Sequence, residues 1–240
     1  MHIAGLLYVD DLILIGKDYH EVKTLLKQVQ ALLENLGMSV NCAKSNILSC
    51  KEAEIEIGTS LLSTNDETLG FINRSKKYKY LGVQITTESS AKLFKEAIKT
   101  CKQRLKSQAG IILGLAANDF DPVKNGLTLW TGVAIASALY GAEIIQFKQD
   151  ILKELEGIQG AFLAHLLGQR SSVSHSALRK DTGIKPISQI IAKMKLKYWF
   201  HLTKSKTHSW LEAAYLECFK LGQDPNDQHG WTSSYEQEIN

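Results

Sequence analysis

The chain has 240 residues, enough to bury a sizeable core in one or two domains, and its 28 Lys+Arg nearly balance its 25 Asp+Glu, so total charge says little about partners. Four scattered cysteines (Cys42, Cys50, Cys101, Cys218) exclude a disulfide framework and a zinc site built on paired cysteines, and they suit a reducing compartment. No apolar run approaches the eighteen or so residues of a membrane span and no signal peptide precedes the first strand, so a soluble, intracellular protein is expected, in nucleus or cytoplasm. Charge is unevenly placed. Up to Ser90 there are nine Lys+Arg against eleven Asp+Glu, and from Ala91 onward nineteen against fourteen. A basic part joined to an acidic part suits a polyanion held over a metal site, although a mild lysine excess is commonest on solvated helices.

The first sixteen residues predict a β-hairpin. Leu6-Leu7 and Leu12-Ile13-Leu14-Ile15 are rich in β-formers, and Tyr8-Val9-Asp10-Asp11 between them is the natural place for a tight turn. Two adjacent carboxylates repel, so the tip is comfortable only in water or beside a cation of high charge. Hard divalent ions take carboxylate oxygens, which makes Asp10 and Asp11 candidate metal ligands. For a bare Asp-Asp pair, a solvated acidic turn is the commoner outcome.

Asp18 then caps a helix to about Leu36 that stops at Gly37, with Val22, Leu25, Leu26, Val29, Leu32, Leu33 and Leu36 on one side, expected to pack on a sheet. Residues 37–45 predict a glycine stop, a short strand and a turn, on which Lys44 alone would be a solvated lysine. Short strands are expected at Ile47-Leu48, Ile55-Glu56-Ile57, Leu61-Leu62 and Leu69 to Ile72, with no pairing derivable. Alternating apolar residues about Gly82 in Tyr80-Leu81-Gly82-Val83-Gln84-Ile85 suggest a second hairpin, where the missing side chain permits close backbone approach.

From Ser90 the pattern turns helical, placing a boundary near residue 88. In the helix from about Ala91 to Ser107, Lys92, Lys95, Lys99, Lys102 and Lys106 form one narrow stripe, with Phe94, Ala97, Ile98, Cys101 and Leu105 on the opposite side. Lysines three and four apart repel by a few tenths of a kcal/mol per pair. A polyanion along the stripe reverses that cost through counterion release. Further helices are expected at about 122–140, 149–167, 174–182, 187–205 and 208–221. The run holding Lys193, Lys195, Lys197, Tyr198, Trp199, Phe200, His201, Lys204 and Lys206 mixes bases with aromatics, which more often are helix core than stacking platforms for unpaired bases. The tail from Gln223 is polar. No Walker loop, dinucleotide fingerprint, nucleophile elbow or H-E-x-x-H run is present.

The order of these features resembles reverse transcriptases of non-LTR (LINE-type) retrotransposons. Tyr8-Val9-Asp10-Asp11 is similar to the active-site box, Gly37 followed by Asn41-Cys42-Ala43-Lys44-Ser45 to the next motif, and Tyr80-Leu81-Gly82 to the primer grip. The helix carrying the lysine stripe falls where that family has its thumb, and Leu139 to Glu143, Phe162 to Gly168 and Leu178 to Ile187 resemble its connector. The resemblance implies an α+β fold: a partial palm of antiparallel hairpins plus a helix, then an all-α thumb and linker. It divides the chain into palm (1–88), thumb (89–120), helical connector (121–222) and polar tail (223–240).

It further implies an RNA-directed DNA polymerase working by two-metal nucleotidyl transfer, with Mg²⁺ on Asp10 and Asp11 and Lys44 near the incoming dNTP. Tyr8, Gly82, Lys92, Lys95, Lys99, Lys102 and Lys106 would meet an RNA/DNA template-primer duplex. In the family another aspartate from an earlier strand shares the metals, and that strand and the fingers have no counterpart in these 240 residues. The expectation is a fragment inactive alone, completed in trans if at all, with no membrane partner. The alternatives are a non-catalytic nucleic-acid-binding remnant using the lysine-faced helix, and a helical interaction protein with an incidental acid turn.

Overall fold

The computed structural model describes residues 5–49, 59–62, 68–87, 90–170 and 172–204, and of residues 59–62, 68–69, 90–93 and 203–204 it describes the backbone. The fold is mixed α+β, as expected. Contacts divide the chain into two compact units, Met1–Ser89 and Ser90–Asn240.

In the first unit, β1 (Gly5–Tyr8) and β2 (Asp11–Leu14) pair antiparallel, Gly5 opposite Leu14 and Tyr8 opposite Asp11. α1 (Tyr19–Asn35) follows. The Asp18 carboxylate accepts the Glu21 amide at 2.8 Å while the Glu21 carboxylate accepts the Lys17 amide at 2.9 Å, so two donors without helical partners are satisfied reciprocally. At its other end the Met38 amide reaches Leu33 O at 2.8 Å and the Gly37 amide Glu34 O at 3.0 Å, the double bond of a glycine-terminated helix. The apolar side of α1 is half-covered, with Leu25, Leu26 and Leu33 partly buried and Leu32 and Leu36 exposed.

The strand expected around Val40 does not form. Asn41 accepts the Lys44 amide on its side chain at 3.2 Å, Ser45 Oγ donates to Asn41 O at 2.8 Å, and Cys42–Lys44 closes as a 3-10 turn. One apolar residue between Ser39 and Asn41 gives a ladder little to bury, and local side-chain to backbone bonds win. Beyond it, β3 (Asn46–Ile47) runs parallel to β5 (Thr68–Arg74), with β4 (Thr59–Leu62) antiparallel on the other side of β5. The expected strand at Ile55 to Ile57 lies outside the described residues. β6 (Lys77–Tyr80) and β7 (Val83–Thr86) form the second hairpin.

The second unit is helical. α2 (Ser90–Ala116) runs nine residues beyond the expected end at Ser107, through Gly110 and Gly114. Glycine costs a helix about 1 kcal/mol each. Burial of Ile112 and Ala116 on the stripe begun by Cys101 and Leu105 outweighs that cost.

Asp121 caps α3 (Pro122–Leu129), with Pro122 in its first turn, and the helix passes through a π turn at Trp130–Ala134 into α4 (Ile135–Ala138). After a 3-10 turn at Ala142–Ile144 come α5 (Gln149–Leu166), α6 (His175–Thr182) and α7 (Ile187–Lys204). The helix expected at 208–221 and the tail lie outside the described residues.

The core of this unit joins Leu105, Trp130, Leu139, Leu155, Phe162, Leu163, Ile187 and Ile191, all fully or almost fully buried, with Trp130 stacked on Phe162 at 4.1 Å. α5 sits at its centre. A Cβ at Gly160 would lie 2.2 Å from Cγ of His175, so only glycine lets α6 pack this closely. The Glu156 carboxylate accepts Ser188 Oγ at 2.5 Å near the start of α7 and lies 4.0 Å from the Arg179 guanidinium, linking α5, α6 and α7.

Candidate functional site

The acid turn is tighter than the four residues that its sequence allows. Val9 and Asp10 alone make the turn, and Asp11 is the first residue of β2, opposite Tyr8. Tyr8 and Asp11 therefore stand on one face of the ladder, while Asp10 belongs to the bend. All four residues are exposed, Val9 at 82%. Val9 has φ +54, a left-handed conformation that a β-branched residue adopts only under strain. A two-residue hairpin demands positive φ at this position because the strands twist right-handed.

The second hairpin solves the same problem differently. Leu81 and Gly82 make its turn between the paired Tyr80 and Val83, with φ +47 and +82. Positive φ at both central residues is the commonest two-residue hairpin turn, and glycine occupies the second position without penalty. Gly82 is exposed, so the backbone at this tip is open to close approach.

Lys44 is exposed on the 3-10 turn, and its carbonyl accepts the Tyr78 hydroxyl at 3.0 Å. The structure thus brings the Lys44 turn and the Gly82 hairpin together through β6. Among the described residues no ion pair joins Lys44 to Asp10 or Asp11.

Carboxylate oxygens are the right donors for Mg²⁺, which is ordinarily held by one or two carboxylates together with phosphate oxygens and water. Among the described residues no group of three or more His, Cys, Asp or Glu side chains gathers in metal-binding range. The pair therefore fits one ion in donor chemistry and does not make up a two-ion site.

On α2, Lys95, Lys99 and Lys106 are exposed. Lys102 is turned aside, half-buried and ion-paired with Glu154 of α5. The side chain of Lys92 lies outside the described residues. The opposite side is covered as expected, with Cys101 and Leu105 buried and Phe94, Ala97 and Ile98 partly so. Burial pushes the Cys101 thiol up to about 11, against the downward pull of the nearby Arg104 and Lys102 charges. That thiol is inert packing, not a nucleophile.

The aromatic and basic run on α7 divides in a way that the core expectation missed. Phe200 is 49% exposed and Trp199 partly buried, their rings edge to face at 5.1 Å. Lys193, Lys197 and His201 are exposed, whereas Lys195 is 2% exposed. The signal was present in the spacing: residues 193, 197, 200 and 201 share one helical face, and 195 falls opposite. The side chain of Lys204 and all of Lys206 lie outside the described residues.

Against known families, the model for reverse transcriptase (RNA-dependent DNA polymerase) matches residues 2–85, the stretch that holds both hairpins and the Lys44 turn. No curated protein and no solved structure matches the chain. No helix among the described residues is long and apolar enough to cross a membrane.

Proposed function

We propose that the chain carries the catalytic-turn portion of an RNA-directed DNA polymerase of the non-LTR (LINE) type, joined to a thumb-like helical part that holds template-primer duplex. The observation that carries this reading is the two-residue hairpin that exposes Asp10 and Asp11 within the stretch similar to reverse transcriptases.

Mg²⁺ held by Asp10 and Asp11 would supply positive charge to phosphate oxygens during nucleotidyl transfer. The remaining work falls to the chain itself. The Lys44 ammonium, on a turn held by Asn41 and Tyr78, offers a positive charge to a nucleotide's phosphates. Gly82 lets a primer backbone approach the second hairpin. Lys95, Lys99 and Lys106 neutralise duplex phosphates along α2, each displacing counterions.

Two carboxylates from one turn fix too few ligands for a two-ion reaction, so these 240 residues alone are catalytically incompetent and need a further aspartate from outside this stretch. The test is primer extension on an RNA template with an annealed DNA primer, Mg²⁺ and dNTPs, beside an Asp10→Ala, Asp11→Ala control. No extension is expected. Extension that vanishes in the control overturns the incompetence and makes the hairpin an active site as it stands.

The second reading is a non-catalytic duplex-binding protein, favoured by the three exposed lysines of α2. Replacing Lys95, Lys99 and Lys106 with glutamine should then flatten the dependence of log affinity on log salt by about 2 to 3. A slope unchanged by the triple substitution removes α2 as the duplex-binding face in either reading.

A further inference from the structure

The exposed side of α7 differs in chemistry from that of α2. Eighteen residues, Ile187–Lys204, contain four lysines and no carboxylate. Lys193, Lys197 and His201 are exposed on one face, and Phe200 stands among them with about half its surface in water. Its ring leans edge-on against Trp199, which limits its rotation. The buried side of the same helix, with Ile187 and Ile191 in the core and Leu202 also buried, holds the face in place, and Glu156 anchors its start through Ser188.

α2 presents lysines with no exposed aromatic among them, which suits a duplex whose bases are stacked away from the surface. An exposed aromatic among the lysines of a helix that carries no carboxylate of its own is suited to something else. Unpaired bases have free π-faces, and single strands are held by a positive track for the phosphates with aromatic rings for the bases.

We propose that the Lys193, Lys197, Phe200 and His201 face of α7 is a binding site for single-stranded nucleic acid, with Phe200 stacking on an unpaired base and the two lysines on flanking phosphates. Charge complementarity points to the occupant: a helix that carries lysines and no carboxylate of its own selects a polyanion, and the ring selects one whose bases are available. This extends the nucleic-acid reading of the second unit to a second strand type, and it does not depend on polymerase activity.

The test is fluorescence anisotropy of the full chain with a labelled oligothymidylate and with a labelled duplex, without Mg²⁺ or dNTPs, and co-sedimentation with phosphatidylglycerol vesicles. Phe200→Ala should weaken single-strand binding about tenfold and leave duplex binding within about twofold. Phe200→Leu keeps an apolar side chain and removes the π-face, so it should weaken binding equally, while Phe200→Tyr should restore it. Lys193→Gln and Lys197→Gln should each reduce the single-strand salt slope by about 0.7.

Single-strand affinity indifferent to Phe200, with duplex binding intact, overturns this site and leaves the α2 reading standing. Phe200→Leu binding like wild type overturns stacking. Vesicle binding lost in the lysine variants, with no single-strand binding in the wild type, overturns the proposal in favour of an anionic lipid surface.

Discussion

The two units of this chain bury themselves to different degrees. Among the described residues of Met1–Ser89, Ile72 and Gln30 are the buried side chains, and Leu7, Val9, Leu32, Leu36 and Met38 are exposed. The unit from Ser90 encloses a continuous core from Cys101 to Ile191, with an aromatic stack at its centre. Among the described residues, therefore, the stretch whose motif order is recognisable is the one that shows the smaller core. Turn chemistry and burial are separable properties: a hairpin can display Asp10 and Asp11 through local ladder and turn geometry, while cooperative stability resides in packed helices elsewhere.

The largest expected contrast comes from matched truncations. Phe162→Ala removes the partner of Trp130 and should cost about 3–5 kcal/mol in urea unfolding, whereas Leu7→Ala, at an exposed position, should change stability by about 0.5 kcal/mol or less. Equal costs would break the comparison.

Alkaline titration offers a smaller effect confined to the second unit. The folded state raises the Cys101 thiol from 9.0 to about 11, favouring its protonated form. The associated stability is fully present below pH 9 and is lost as pH rises through about 11, by roughly 3 kcal/mol. Thermal melts of wild type and Cys101→Ala should converge over that window, and parallel curves would show that this thiol does not titrate with folding.

The smallest effect sharpens the view of the first unit. Val9→Gly relieves the left-handed strain at φ +54 and, after the extra chain entropy of glycine, should stabilise the hairpin by about 1 kcal/mol. Amide hydrogen exchange across Gly5–Leu14 should slow. Faster exchange in that variant would mean that strand packing by Val9 matters more than its backbone.

Much of this architecture was legible because its signals are local. Asp18 caps the helix that it announces, a helix starts at residue 122 as the pattern requires, and the paired strands flank Asp10 and Gly82 as their alternation requires. What escaped the sequence depends on distant partners or on competition. The glycines at 110 and 114 argue locally against the helix that the buried Ile112 and Ala116 sustain. Lys102 looks like one more member of a stripe until α5 brings Glu154 beside it. Phe200 looks like core until its side of α7 proves to leave about half of the ring in water. The strand at Val40 gives way because the local hydrogen bonds of Lys44 and Ser45 to Asn41 outweigh a weak alternation.

The π turn at Trp130–Ala134 bears on how this chain can be compared with others. Inside it the Ile135 amide reaches back five residues to the carbonyl of Trp130, so the helix holds one residue more than a regular spiral would. An α-helix advances about 100° per residue, and a surplus residue taken up without the wider turn would swing everything after it off its face. Here Trp130 stays stacked on Phe162 while Ile135, Ala138 and Leu139 still point inward. An alignment that counts evenly from Pro122 to Leu139 will place the later positions one step out of phase. The correct superposition of a relative without the bulge opens a single-residue gap within Trp130–Ala134.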